Sequence, residues 1–195
     1  MNAPEKLTNV ALLRFAWGIS GGWSDAFRSR EFHIAVLVTV LCARFWIKCE
    51  WYEQVLSVMP NVLGFTLGGF AIFLGFGDER FKSLLAGKED GDTKESPYLS
   101  VAAAFVIFVF FQILSILCAI VTKSLHFPTP EPLSRIAVYL HAGYIISSCV
   151  GYFLFIYSLS LALKATLRVF RLARWYDLFV ADEKRRENAK EESSK

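Results

Sequence analysis

The sequence predicts an all-α integral membrane protein, a four-helix bundle with an N-terminal interfacial segment and a C-terminal amphipathic cytoplasmic helix. Three observations lead there. Hydrophobic residues make up 54% of the 195 residues, and the mean hydropathy of +0.40 is high for a domain that must dissolve. Phenylalanine occurs 18 times, more than so small a soluble core accommodates. The charges are segregated: no Asp, Glu, Lys or Arg falls between Glu53 and Asp78, between Glu95 and Lys123, or between Arg135 and Lys164. A helix rising ~1.5 Å per residue needs about 20 residues to cross roughly 30 Å of hydrocarbon, and each run is long enough.

In chain order, residues 1–31 form an arm whose stretch LTNVALLRFAWGISGGW suits an interfacial helix that breaks near Gly21 and Gly22. The first span, about 32–51, is apolar through Ala43 and then carries Arg44 and Lys48 among the belt-forming aromatics Trp46, Trp51 and Tyr52. The second, about 54–77, contains Gly64, Gly68, Ala71 and Gly75 at spacings of three and four, a small-residue stripe on one helix face. Lipid supplies no hydrophobic drive between helices, so such stripes let backbones approach and gain packing energy.

The end of that span reads GFGD at Gly75 to Asp78 and resembles the filter signature of potassium channels, whose backbone carbonyls replace an ion's hydration shell. Here Phe73-Leu74 stands where the filter has its threonine, and Asp78 falls at the cytoplasmic end, so the stretch reads as a packing helix. The loop that follows is charged and rich in glycine. Its Asp90-Gly91-Asp92 lacks the spaced ligands of a calcium loop. The third span covers about 98–122, Pro128, Pro130 and Pro132 hold the next connection extended, and the fourth span covers about 136–163.

The tail, 164–195, continues as a helix placing Lys164, Arg168, Arg171 and Trp175 on one face, with Arg174 beside them. That pattern suits the lipid bilayer surface or a docked cytosolic protein. The mixed-sign end ADEKRRENAKEESSK argues against nucleic acid, because its acids repel phosphate. Of the 21 basic residues, 17 fall in the arm, the middle loop and the tail. By the positive-inside rule both termini are cytoplasmic, in a bacterial-type inner membrane, and no cleavable signal peptide is expected.

Cys42, Cys49, Cys118 and Cys149 show no metal-ligand spacing, so neither metal nor other cofactor is expected. No Ser-His-Asp arrangement, HExxH or GxxxxGK[ST] occurs, and the pair Glu50 and Glu53 is explained by a turn between spans, so no enzyme is expected. Counting depth along the spans puts Arg44, Asn61, Gln112, Ser115 and His141 in the outer half. Polar groups facing lipid are costly, so these five are expected to form either a vestibule handling an ion or small solute or interhelical hydrogen-bond glue. The expectation is a homo-oligomer forming or gating a solute pathway between subunits, or permeabilising the membrane as a defence or stress effector. The alternative is a non-conducting anchor or adaptor docking a cytosolic partner through its loop and basic tail.

Overall fold

The structure, a computed structural model, describes residues 8–75, 96–126 and 137–193. All its described elements are α-helices. Asp90-Gly91-Asp92, the Phe76 to Asp78 end of the filter-like motif and the three connecting prolines lie outside the described residues.

Helix α1, Asn9–Ile19, starts at Thr8, whose hydroxyl accepts from the Ala11 N–H. Gly21 and Gly22 then turn the chain with φ of 100° and 65°, a conformation that costs glycine little. Helix α2, Gly22–Arg28, ends at Ser29, whose Oγ donates to the Ala26 carbonyl at 2.7 Å and accepts from the Phe32 N–H at 3.2 Å. One side chain thus closes α2 and caps α3, Arg30–Leu41.

The predicted span 32–51 differs from expectation. Helix α3 has 12 residues and stops at Cys42 (φ −88°, ψ 12°), and a separate short helix α4, Ala43–Lys48, follows. Twelve residues rise ~18 Å, well short of the hydrocarbon thickness. A continuing helix would pair the Thr39 carbonyl with the Ala43 N–H. Instead, the buried Trp46 indole donates to it at 2.9 Å, satisfying the carbonyl that the break exposes.

Among the described residues three helices are long and apolar enough to cross a membrane. Helix α5, Trp51–Gly75, runs 25 residues and continues through Pro60. Pro60 leaves the Leu56 carbonyl without its usual backbone donor, and next to it Asn61 Nδ2 donates to the Ser57 carbonyl at 3.0 Å. Helix α6, Pro97–Leu125, opens with Ser96 accepting from the Leu99 N–H and proline at its first position. Helix α7, Ala137–Ser193, is a single helix of 57 residues.

Helix α6 packs against α5 and α7, α3 and α4 pack on α7, and α1 lies on α6. Two contacts fix the antiparallel register of α6 and α7. Thr122 and Ser147 hydroxyls meet at 2.6 Å near one end, and Arg168 Nη1 donates to the Ser100 carbonyl at 3.2 Å near the other. Arg168 is therefore level with the first turn of α6. Close packing at the opposite end joins Trp46, Trp51, Tyr52, Val55, Met59, Ala119, Tyr152 and Phe155. At the basic end Phe73, Val101, Phe105 and Leu172 pack together. Gly151 permits a close approach between helices: a Cβ there would clash with Cη2 at the edge of the Trp51 ring and stand 3.2 Å from Cys118 Cβ. A closed circuit of aromatics, Trp17, Trp23, Phe27, Phe32, Tyr157 and Phe111, ties α1, α2, α3, α6 and α7, each centroid within 6.2 Å of the next.

Candidate functional site

Two polar regions stand out: a seam inside the bundle and a cationic cluster at its basic end. In the seam, Gln112 of α6 is fully buried and its Nε2 donates to Thr66 Oγ1 of α5 at 3.1 Å. Thr66 in turn donates to the Val62 carbonyl at 2.7 Å. Ser158 Oγ donates to the Phe155 carbonyl at 2.8 Å and lies 3.9 Å from Met59 Sδ. Gln112 Oε1, Ser115 Oγ and Ser148 Oγ are buried without a hydrogen-bond partner. Where lipid is the alternative, such bonds join helices at modest strength.

Of the five polar residues expected at this depth, the structure brings Gln112 and Ser115 into the seam and leaves Arg44, Asn61 and His141 exposed. Thr66, the partner that Gln112 uses, was not singled out from the sequence. Its signal was there: Thr66 lies among the glycines of α5, one turn from Val62. Gly64, Gly68, Ala71 and Gly75 are also exposed, and a Cβ built on any of the three glycines meets nothing within 4 Å. The stripe thus points away from the chain's other described helices. At the end away from the basic cluster, Glu53 pairs with Lys123 at 2.7 Å, and Glu50 lies 3.9 Å from His126. Among the described residues no three His, Cys, Asp or Glu side chains converge, and all four cysteines are free thiols.

At the basic end, Lys164 Nζ sits 3.4 Å from Glu31 Oε2, joining α7 to the first turn of α3. Burial pushes the Glu31 carboxyl up, but its backbone hydrogen bond and Lys164 outweigh that and hold it below the usual 4.5. Arg168 reaches the other way, to α6, through the Ser100 carbonyl. Arg171, Arg174 and Trp175 are exposed. Between α3 and α7 a groove of about 640 Å³ is lined by Arg30, Lys164, Arg168 and Arg171, one carboxylate, Glu31, and the aliphatic Ile34, Leu163 and Leu167. A smaller groove of about 180 Å³ on the α6 side shares Arg168 and Arg171 with Ser100 and Trp175. Among the described residues neither Arg30 nor Arg171 is paired with a carboxylate.

No protein-family model, curated protein or solved structure matches this chain. The reading of the site therefore rests on its own geometry. Arg30, Glu31 and Ser100 are the members of the basic end that sequence reasoning passed over. Arg30 and Glu31 lie just before the apolar run of α3 and Ser100 in the first turn of α6, where periodicity says little, and only the antiparallel packing brings them beside α7.

Proposed function

We propose that this chain is a non-conducting membrane anchor and adaptor: the bundle holds it in the bilayer, and the part of α7 beyond the bundle docks a cytosolic protein. In this reading α3 and α4 together make a fourth, broken crossing, and the basic end faces the cytoplasm, as its excess of Lys and Arg favours. The carrying observation is the continuity of α7. Fifty-seven residues at ~1.5 Å each span about 85 Å, nearly three times the hydrocarbon thickness. From Arg168, level with the first turn of α6, some 25 residues (~37 Å) continue as helix to Ser193. That segment carries Asp182, Lys184, Arg185 and Arg186 exposed around its surface. The seam supports the non-conducting part, because Trp51, Val55, Met59, Gln112, Ser115 and Ser158 are fully buried against one another's helices.

Truncation tests the reading, and the cut must spare the bundle: Ala165 and Leu172 are buried, so it begins at Ala181. Crosslinking from Arg185 in cells is expected to capture one discrete cytosolic partner with the full chain. Deleting residues 181–195 should abolish that capture while leaving the thermal midpoint of the purified bundle unchanged. A partner retained by the truncated chain, or no discrete adduct from the full chain, overturns the docking role.

A second reading, self-association with an ion or small-solute pathway between copies, is favoured by one specific observation. Asn61, Gly64, Gly68, Ala71 and Gly75 line up along the exposed face of α5, and close approach across small residues is a common basis for helix association in lipid. Dye leakage from vesicles carrying the protein tests it, since a strictly monomeric, non-leaking protein removes this reading and leaves the first intact.

A further inference from the structure

We propose that the groove between α3 and α7 is a discrete binding site for one anionic phospholipid, its headgroup held by Arg30 and Arg171 and the start of its acyl chains resting on Ile34 and Leu163. The inference rests on membrane residence and not on partner docking, so it stands or falls separately.

Charge complementarity is the first argument. The groove brings together four cations and one carboxylate, a net charge of +3. The carboxylate is already engaged by Lys164, and Arg168 by the Ser100 carbonyl, which leaves the guanidinium groups of Arg30 and Arg171 for an incoming anion. A planar guanidinium fork matches phosphate oxygens two at a time.

The second argument is the ordering of the lining along the helix axes. Helices α3 and α4 together run antiparallel to α7, with Glu31 of α3 beside Lys164 and Phe45 of α4 beside Tyr152. Arg30 and Arg171 therefore lie at the end of the groove facing away from the bundle centre, while Ile34 and Leu163 lie one to two turns further in. Cations outside and aliphatic side chains inside repeat the polarity of a phospholipid at a membrane boundary. A free phosphate would use only the outer half. The volume, about 640 Å³, lies in the range of sites that hold small organic ligands rather than ions.

The Lys164–Glu31 pair has a defined part in this arrangement. It neutralises the one acid that would otherwise repel a phosphate, and it fixes α3 against α7 so that Arg30 and Arg171 face one groove.

Native mass spectrometry of the full chain released from detergent tests the site, with phosphatidylglycerol, phosphatidylcholine and inorganic phosphate as probes. Retention of one phosphatidylglycerol in preference to phosphatidylcholine is expected. The double change Arg30→Gln with Arg171→Gln should weaken it about thirtyfold, from roughly one factor of five per basic residue at a membrane surface. Ile34→Trp, which keeps every charge but fills the aliphatic end, should also displace the lipid. Lys184→Gln with Arg185→Gln, on the exposed tail, should change nothing. All these positions are exposed, so the substitutions leave the core untouched. Equal retention of both lipids, or undiminished retention in the double variant, overturns the proposal. Normal retention by Ile34→Trp reduces the site to diffuse surface attraction, and displacement of the lipid by inorganic phosphate reassigns it to a free anion; either result overturns it too.

Discussion

Lys164 on α7 and Glu31 on α3 lie 133 residues apart in the chain and 3.4 Å apart in space. The contact fixes the short α3 against the longest helix of the protein at the level where the apolar part of the bundle ends.

Its effect on stability is small and depends on pH with a definite sign. Glu31 is held below its ordinary 4.5, so its contribution is fully present above that value and is lost as pH falls through the lowered folded value. Both partners are partly exposed, which limits the pair to about 1 kcal/mol or less. Glu31→Gln should lower the melting midpoint slightly at pH 7, and the difference from the parent chain should vanish in acid well below 4.5. A difference that persists in acid would show that packing, not charge, sets the effect.

Gly151→Ala should destabilise the bundle by about 1–3 kcal/mol, the usual cost of overpacking, because the new methyl clashes with the edge of the Trp51 ring. Trp51 is fully buried, so its ring has little room to move, and Cys118 Cβ stands 3.2 Å from the new methyl. Gly68→Ala, with open space at its Cβ, should leave the protomer's unfolding midpoint unchanged. Denaturation of the two variants in the same detergent provides the comparison.

These two glycines show what sequence can and cannot convey here. Charge-free runs announced α5 and α6 because a long stretch without a charge has few other uses, and Gly21-Gly22 marked the turn after α1. The break at Cys42 left no such mark, since VLVTVLCARFW contains no glycine or proline; it is sustained by Trp46 reaching the Thr39 carbonyl, a contact visible only in three dimensions. Depth along a span is countable, but rotation about it is not. Depth alone puts Gln112 and Asn61 in one outer layer, yet one is fully buried and the other exposed. Gly151 had a usable signal in the spacing Gly143, Ser147, Gly151, which sets three small residues on one face of α7.

Trp46→Phe keeps most of the ring's packing and removes the indole N–H. The Thr39 carbonyl then loses its donor in a buried place, at a cost of about 1–3 kcal/mol. Backbone amides from Thr39 to Trp46 should exchange faster in the variant, while those in the middle of α6 keep their protection. Uniform loss of protection across all helices would mean that the break is not a local feature.

Gln112→Met should cost less than about 1 kcal/mol. The bond to Thr66 is of the interhelical kind that averages ~0.6 kcal/mol in a membrane, and the change also removes Oε1, a buried acceptor with no partner. Were Gln112 part of a conducting path, the same change would abolish any leakage while leaving the fold intact. Unaltered leakage together with an unaltered midpoint is the outcome expected of a packing seam.

The exposed face of α5 makes the last prediction. Asn61 already uses Nδ2 on the Ser57 carbonyl, so its remaining amide capacity points outward beside Gly64 and Gly68. A second α5 packed there would bring backbone to backbone and cover the amide, whereas lipid does neither. If copies associate by this face, Gly68→Leu should shift the monomer–oligomer equilibrium in lipid toward monomer by at least about tenfold, since a bulky side chain prevents close approach, and Gly68→Ala should shift it less. The Gly68→Leu protomer should still melt as the parent does, because nothing within 4 Å meets the new side chain's first atom. An oligomer that survives Gly68→Leu would place the contact on another face, most simply along the exposed Leu163, Leu167 and Phe170 of α7.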